Sequence, residues 1–198
     1  MLFRSHATGG NFADIAAFLD GNDSFKGLMG ADTAFGGLGN DSLTGGVGND
    51  SLVGGAGNDR LAGGPGQDMI FGGDGADRIV LYLGNDTVSG GTGADKFIFN
   101  FNQTGLHTVT DFESGTDQLR VNAALLQFGP GSGSLDPTLL SFGSASGPQA
   151  QFVLIYDAIT DQSTLLWDPN GADPAGGTYA LAHFTGQITL QANDIFIL

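Results

Sequence analysis

The sequence repeats itself every nine residues from Phe18 to Phe99, and that period constrains the fold more than any other feature. Framed from Phe18, the fourth position is always glycine: Gly21, Gly30, Gly39, Gly48, Gly57, Gly66, Gly75, Gly84 and Gly93. The sixth is always aspartate: Asp23, Asp32, Asp41, Asp50, Asp59, Asp68, Asp77, Asp86 and Asp95. The eighth is always apolar: Phe25, Ala34, Leu43, Leu52, Leu61, Ile70, Ile79, Val88 and Phe97. Three columns in register are the mark of a stacked repeat rather than of a flexible Gly/Asp-rich linker.

The period predicts a parallel β-roll. Positions one to six read as a glycine-rich turn, and positions seven to nine as a short strand whose middle residue alone points inward. Nine residues make half a coil. Successive strands then fall on opposite faces, and residues 18 apart stack at the strand spacing of about 4.8 Å. One edge of the roll would carry Asp23, Asp41, Asp59, Asp77 and Asp95, and the other Asp32, Asp50, Asp68 and Asp86. Neighbouring carboxylates at that spacing repel by about 3.5 kcal/mol at an effective dielectric of 20. A divalent cation between stacked turns removes the repulsion and gathers two carboxylates and turn carbonyls. Six or more oxygens in flexible geometry suit Ca²⁺ better than Mg²⁺.

Composition points the same way. Glycine makes up 35 of 198 residues, well above the usual share of about 7 %, yet no Gly-x-y triplet of collagen appears. The formal charge is −15, and Glu113 is the only glutamate among the 21 acids. Asp suits turns and hard-cation sites, and so acidic a chain is not expected to bind nucleic acid. There is no cysteine, hence no disulfide framework and no thiolate metal site. No run of 18 apolar residues suggests a transmembrane helix.

Six units, starting at Gly36, Gly45, Gly54, Gly63, Gly72 and Gly90, match G-G-x-G-x-D-x-U-x in full. Those starting at Phe18, Gly27 and Leu81 lack one or both opening glycines. The pattern resembles the hemolysin-type calcium-binding nonapeptide repeat of the RTX family. The resemblance implies calcium held between turns two repeats apart, by the Asp side chains and turn carbonyls. Carried over, it assigns as ligands the nine repeat aspartates and the turns of Gly36, Gly37, Gly39, Gly45, Gly46, Gly48, Gly54, Gly55, Gly57, Gly63, Gly64, Gly66, Gly72, Gly73 and Gly75. It allows up to four sites on the first edge and three on the second, with about five to seven ions expected. Glycine entropy and bare charge together predict a roll that is largely disordered until calcium binds.

Residues 1–17 are expected to form an N-terminal segment with a short capping helix over Asn11 to Leu19, with Asn11 as its N-cap. After Phe99, in 100–198, alternating segments read as strands at Thr108 to Phe112, Gln118 to Val121, Gln151 to Tyr156, Thr164 to Trp167, Tyr179 to Phe184 and Ile195 to Leu198. Gly129 to Gln149 reads as loop. This half is expected to be an antiparallel β cap over the open end of the roll, with Phe152, Trp167 and Phe184 in its core. Asp168-Pro169-Asn170-Gly171-Ala172-Asp173 departs from EF-hand spacing and reads as a plain turn.

Thr110-Asp111-Phe112-Glu113-Ser114-Gly115-Thr116-Asp117 resembles the stretch after the roll in secreted metalloproteases of the serralysin type. Asp194-Ile195-Phe196-Ile197-Leu198 is similar to their terminal type I secretion signal. The resemblance implies passage through type I secretion machinery to an extracellular or cell-surface location, consistent with a start that lacks the apolar core of a cleaved signal.

No catalytic motif is found. His6, His107 and His183 are isolated, and neither a zinc H-E-x-x-H, a G-x-S-x-G elbow nor a phosphate loop occurs. The expectation is a non-enzymatic, calcium-binding structural protein of a surface or matrix, possessing ends able to stack into an oligomer or filament. A C-terminal module of a larger secreted protease, lipase or epimerase is the alternative. A polysaccharide-binding module ranks third, because six basic residues offer an acidic polymer little unless calcium bridges it.

Overall fold

The computed structural model describes residues 5–99, 105–121, 133–134, 140–142, 151–168 and 179–197. The expected turn beyond Asp168, the terminal Leu198 and most of the expected loop over 129–149 lie outside these residues.

The chain is all-β, wound so that alternate strands join two sheets. The first sheet contains β1 (His6–Thr8), β3 (Ser24–Met29), β5 (Ser42–Val47), β7 (Arg60–Ala62), β9 (Arg78–Leu81), β11 (Lys96–Phe99) and β13 (Gln118–Val121), side by side in that order. The second contains β2 (Ile15–Ala17), β4 (Thr33–Leu38), β6 (Ser51–Ala56), β8 (Met69–Asp74), β10 (Thr87–Thr92) and β12 (His107–Val109). Every pairing among these strands is parallel. Leu43 stands opposite Phe25 and Leu61, and Leu52 opposite Ala34 and Ile70. The inward columns are thus continuous, and every eighth-position residue of the nine units is at most 3 % exposed.

Three features differ from the sequence reading. The full strands run six residues, as in Ser42–Val47, because the first three positions of the next unit continue the strand. Gly45 is therefore buried behind Leu43, and the middle residue is not alone in pointing inward. The helix expected over Asn11 to Leu19 is instead strand β2, paired in parallel with β4. Its segment repeats the nine-residue period once more, so the ladder captures it as another half-coil. Finally, Leu81 and Phe99, which stand where a unit should open on glycine, are 0 % and 1 % exposed. There the roll fills with side chains that a closely stacked turn would exclude.

Beyond the repeats the C-terminal half extends both sheets. In the second, β16 (Gln151–Asp157), β17 (Gln162–Asp168) and β18 (Tyr179–Thr185) form an antiparallel meander, with β15 (Leu140–Phe142) parallel to β16. β18 joins the roll by pairing in parallel with β12. In the first sheet, β19 (Ile195–Ile197) adds in parallel to β13 and is flanked by an antiparallel β14 (Gly133–Ser134). The expected antiparallel cap is thus mixed at its junctions. Phe152, Trp167 and Phe184 are core residues, at 0 %, 3 % and 0 % exposure. Phe112 bridges roll and meander, 6.1 Å from Phe97 and 5.5 Å from Phe184 between ring centroids.

Candidate calcium sites along the roll edges

The turn geometry comes from glycines at two positions of each unit. Gly46 (φ 119°) and Gly48 (φ 145°), like their counterparts 18 residues on, adopt a conformation that a side chain would strain. Leu28 stands at such a position with φ 83°, so the second unit keeps the turn geometry with a leucine in place of glycine. The opening glycine serves another purpose. A Cβ on Gly36 would overlap Asp41 Oδ2 and the Gly54 carbonyl oxygen. The same three-way meeting recurs at Gly54 with Asp59 and Gly72, and at Gly72 with Asp77 and Gly90. On the other edge it appears at Gly27 with Asp32 and Gly45, while Gly45 and Gly63 face Asp50 and Asp68. Each missing side chain leaves a small cradle bordered by oxygen.

All nine repeat aspartates are at most 4 % exposed. One oxygen of each from Asp32 onward is engaged by the preceding coil. The N–H of Asp23 donates to Asp41 Oδ1 at 2.7 Å, Asp41 to Asp59 at 2.7 Å, Asp59 to Asp77 at 2.7 Å and Asp77 to Asp95 at 2.8 Å. On the second edge Asp32 donates to Asp50 at 2.8 Å, Asp50 to Asp68 at 2.9 Å and Asp68 to Asp86 at 3.0 Å. The other oxygen has no donor: Oδ2 of Asp32, Asp41, Asp50, Asp59, Asp68, Asp77 and Asp95 is buried without a hydrogen bond. Such an atom carries a desolvation penalty of about 1–3 kcal/mol, more when charged. Two rows of them mark an unmet electrostatic demand among the described residues.

The carboxyls respond accordingly. Burial pushes Asp59 and Asp77 up to about 6 and Asp68 up to about 7, while the N–H of the preceding aspartate pulls down and neighbouring carboxylates add to the rise. Asp41, Asp50, Asp95 and Asp117 are raised from the same leading cause.

Two residues of this pattern escaped the sequence reading. Asp14 donates its N–H to Asp32 Oδ1 at 2.7 Å, and a Cβ on Gly9 would overlap both Asp14 Oδ2 and the Gly27 carbonyl oxygen. Stepping the frame nine residues back from Phe18 finds it, with Phe12 standing where glycine belongs. Asp117 receives the Asp95 N–H at 3.0 Å and so continues the first edge. It lies 22 residues on rather than 18, out of step with the period.

The donor set fits a hard cation: carboxylate and carbonyl oxygens, no sulfur, and a pocket without side-chain bulk. No group of three or more His, Cys, Asp or Glu side chains gathers among the described residues, so a complete shell would depend on backbone oxygens. Those carbonyls are not all bare. Gly63 O accepts the Gly46 N–H at 2.8 Å and Gly10 O the Met29 N–H at 3.1 Å. Each carbonyl keeps a second lone pair.

The family model for the RTX calcium-binding nonapeptide repeat (4 copies) matches residues 8–43, 35–70, 44–79 and 63–97. Its first match begins before Phe18, in agreement with the half-coil that holds Asp14. No curated protein matches the chain. Among solved structures it is similar to the AlgE6R3 subunit of the mannuronan C5-epimerase from Azotobacter vinelandii, with 22 % identity over 94 % of this chain and 79 % of that one and a TM-score of 0.45. That likeness is too loose to transfer any role. The period, the paired coils and the four family matches together identify residues 8–97 as RTX calcium-binding nonapeptide repeats.

Proposed function

We propose that the protein is secreted, holds calcium between stacked turns along both edges of the roll, and completes its folding only outside the cell. The observation that carries this reading is the double row of buried Asp Oδ2 atoms without a donor. The ligands would be the nine repeat aspartates with turn carbonyls, and Asp14 extends the second row. About five to seven ions are expected from the stacked aspartate pairs, and extracellular modules bind calcium at about 10⁻⁴ to 10⁻³ M, so folding would wait for the outside. Export through type I machinery would precede this folding, as the calcium gradient requires.

The role best supported is structural, at a surface or in a matrix, with association of rolls end to end. Among the described residues β1 pairs only with β3 and β2 only with β4, leaving one edge of each sheet open. Phe12, Ile15 and Leu19 beside that end are each more than 80 % exposed. Open strand edges flanked by apolar residues favour further pairing. The same open end also fits a second reading, in which further coils of a larger secreted enzyme stack there.

A calcium titration followed by far-UV circular dichroism and light scattering tests both steps. Strand signal should rise with calcium, and particles or filaments should follow. A spectrum indifferent to calcium would refute calcium-completed folding, and a monomer at saturation would refute the association.

A further inference from the structure

The fifth position of the units forms a second ladder, outside the aspartates. On the first edge the N–H of Asn40 donates to Asn22 Oδ1 at 2.9 Å, and that of Asn58 to Asn40 Oδ1 at 2.7 Å. On the second edge Gln67 donates to Asn49 Oδ1 at 2.9 Å and Leu106 to Asn85 Oδ1 at 2.8 Å. Each of these carboxamides is fixed through its oxygen alone. Their Nδ2 groups make no hydrogen bond among the described residues, and Asn40, Asn49 and Asn85 are exposed while Asn22 is half-buried.

Two residues beyond each of the four stands a hydroxyl. Asn22, Asn40 and Asn49 begin Asn-Asp-Ser, and Asn85 begins Asn-Asp-Thr. All four fit Asn-x-Ser/Thr, the acceptor pattern for N-linked sugar on an exposed segment of a secreted protein. The ladder itself does not need the hydroxyl, because Asn58 accepts the Ala76 N–H at 2.7 Å yet is followed by Asp59 and Arg60. Nor does the strand demand it: where the fifth position is not asparagine, the seventh is Thr33, Met69, Arg78 or Lys96. The hydroxyls of Ser24, Ser42, Ser51 and Thr87 make no hydrogen bond among the described residues, so the fold does not consume them.

We infer that Asn22, Asn40, Asn49 and Asn85 are acceptors for a hexose supplied by a nucleotide-activated sugar. In the transfer Nδ2 bonds to the anomeric carbon and the bond from that carbon to the diphosphate oxygen breaks. The nucleoside diphosphate leaves with the electron pair, and one Nδ2 proton passes to a base of the transferase. The product keeps its carbonyl oxygen and one N–H, so the ladder bond survives the modification. The middle residue of each triplet sets the timing. Asp23, Asp41, Asp50 and Asp86 are at most 4 % exposed in the roll, so a transferase reaches the whole triplet only before the coils close. Modification therefore precedes calcium, and for this order alone the inference rests on the calcium-completed folding proposed above.

The test takes the full chain from the cells that naturally make it and reads its intact mass, with peptide fragmentation to locate any addition. The mass should exceed that of the bare sequence by whole hexose units, carried on these four asparagines and absent from Asn58. The variant S24A/S42A/S51A/T87A, made in the same cells, keeps every asparagine of the ladder and should lose the hexose. Its mass reads out whether or not it folds, and its calcium-dependent circular dichroism should be retained. Extract of those cells with a labelled nucleotide sugar should modify the bare chain faster in chelator than in saturating calcium. A native mass equal to that of the bare sequence would overturn the proposal, as would sugar on Asn58 to the same extent or sugar retained by the variant. Equal rates in chelator and calcium would overturn the proposed order. Failure of calcium-completed folding would appear separately, as a circular dichroism spectrum that calcium leaves unchanged.

Discussion

His107 Nδ1 lies 3.0 Å from Asp86 Oδ2, at the register position where the second edge of the roll would place its next carboxylate. Both side chains are 1 % exposed. The Asp86 N–H, which would otherwise meet an aspartate oxygen, points to the same imidazole nitrogen at 3.4 Å. A nitrogen thus ends the ladder of aspartate oxygens on that edge.

Replacing His107 separates its two roles. His107→Ala leaves Asp86 Oδ2 buried with no neighbour to interact with, a loss of about 2 kcal/mol. Urea unfolding of the calcium-loaded protein should show an unfolding free energy lower by that amount, seen as a lower midpoint at unchanged slope. His107→Asp instead restores the repeat chemistry, and equilibrium dialysis should count one more calcium per chain. An unchanged count would mean that the three additional residues between Asp86 and His107 spoil the cradle.

The raised carboxyls make the calcium-free protein respond to acid. Asp59, Asp68 and Asp77 sit at about 6 to 7 in the folded roll against 3.8 in an unfolded chain, so folding takes up protons. Their stabilisation is complete below about pH 4 and disappears as pH rises through 6 to 7. In chelator, far-UV circular dichroism should therefore show more strand at pH 4.5 than at pH 8. Calcium must displace those protons, so its midpoint should move to higher concentration on acidification. Order that increases with pH in chelator would contradict the burial described for these carboxyls.

Gly54→Ala probes the cradle without straining the backbone, since φ at Gly54 is not positive. Its new Cβ would overlap Asp59 Oδ2 and the Gly72 carbonyl. The calcium midpoint should rise about ten-fold, equivalent to about 1.4 kcal/mol at the affected sites. Gly186→Ala is the contrasting control: φ is 80° there but nothing lies within 4 Å of the added carbon. It should cost about 1 kcal/mol of stability and leave calcium affinity unchanged.

The roll was legible because each of its determinants recurs at one interval. Asp41 in one unit predicts Asp59 two units on, and their 2.7 Å ladder contact follows from stacking alone. Legibility failed where a residue kept its place while its neighbours lost theirs. Asp14 sits in register behind Phe12, a residue that hides the glycine column, and the short run Asn11 to Leu19 shows apolar spacing open to either helix or strand. Only pairing with β4 decides the matter, and pairing is a long-range fact. Asp117 and His107 were hidden by insertions, since a period of nine cannot find residues 22 and 21 positions away.

Asp194 fastens the end of the chain to the roll. It is 1 % exposed, and its Oδ2 accepts the Ser114 hydroxyl and the Gln191 N–H, both at 2.7 Å, while Oδ1 accepts the Gly115 N–H at 3.0 Å. These contacts set the short 3-10 helix Ala192–Asp194 against the turn that leads into β13, and β19 then pairs with β13 through Leu119 and Ile195. Ile195 and Ile197 are wholly buried, so this strand extends the first sheet past the last coil. Asp194→Ala removes three charge-assisted bonds from one buried carboxylate, an expected loss of about 3 kcal/mol confined at first to the terminal strand. Hydrogen exchange in saturating calcium should show β19 and β13 losing protection while β5 and β6 keep theirs. Uniform loss across all coils would mean instead that the terminal strand and the repeats open as one cooperative unit.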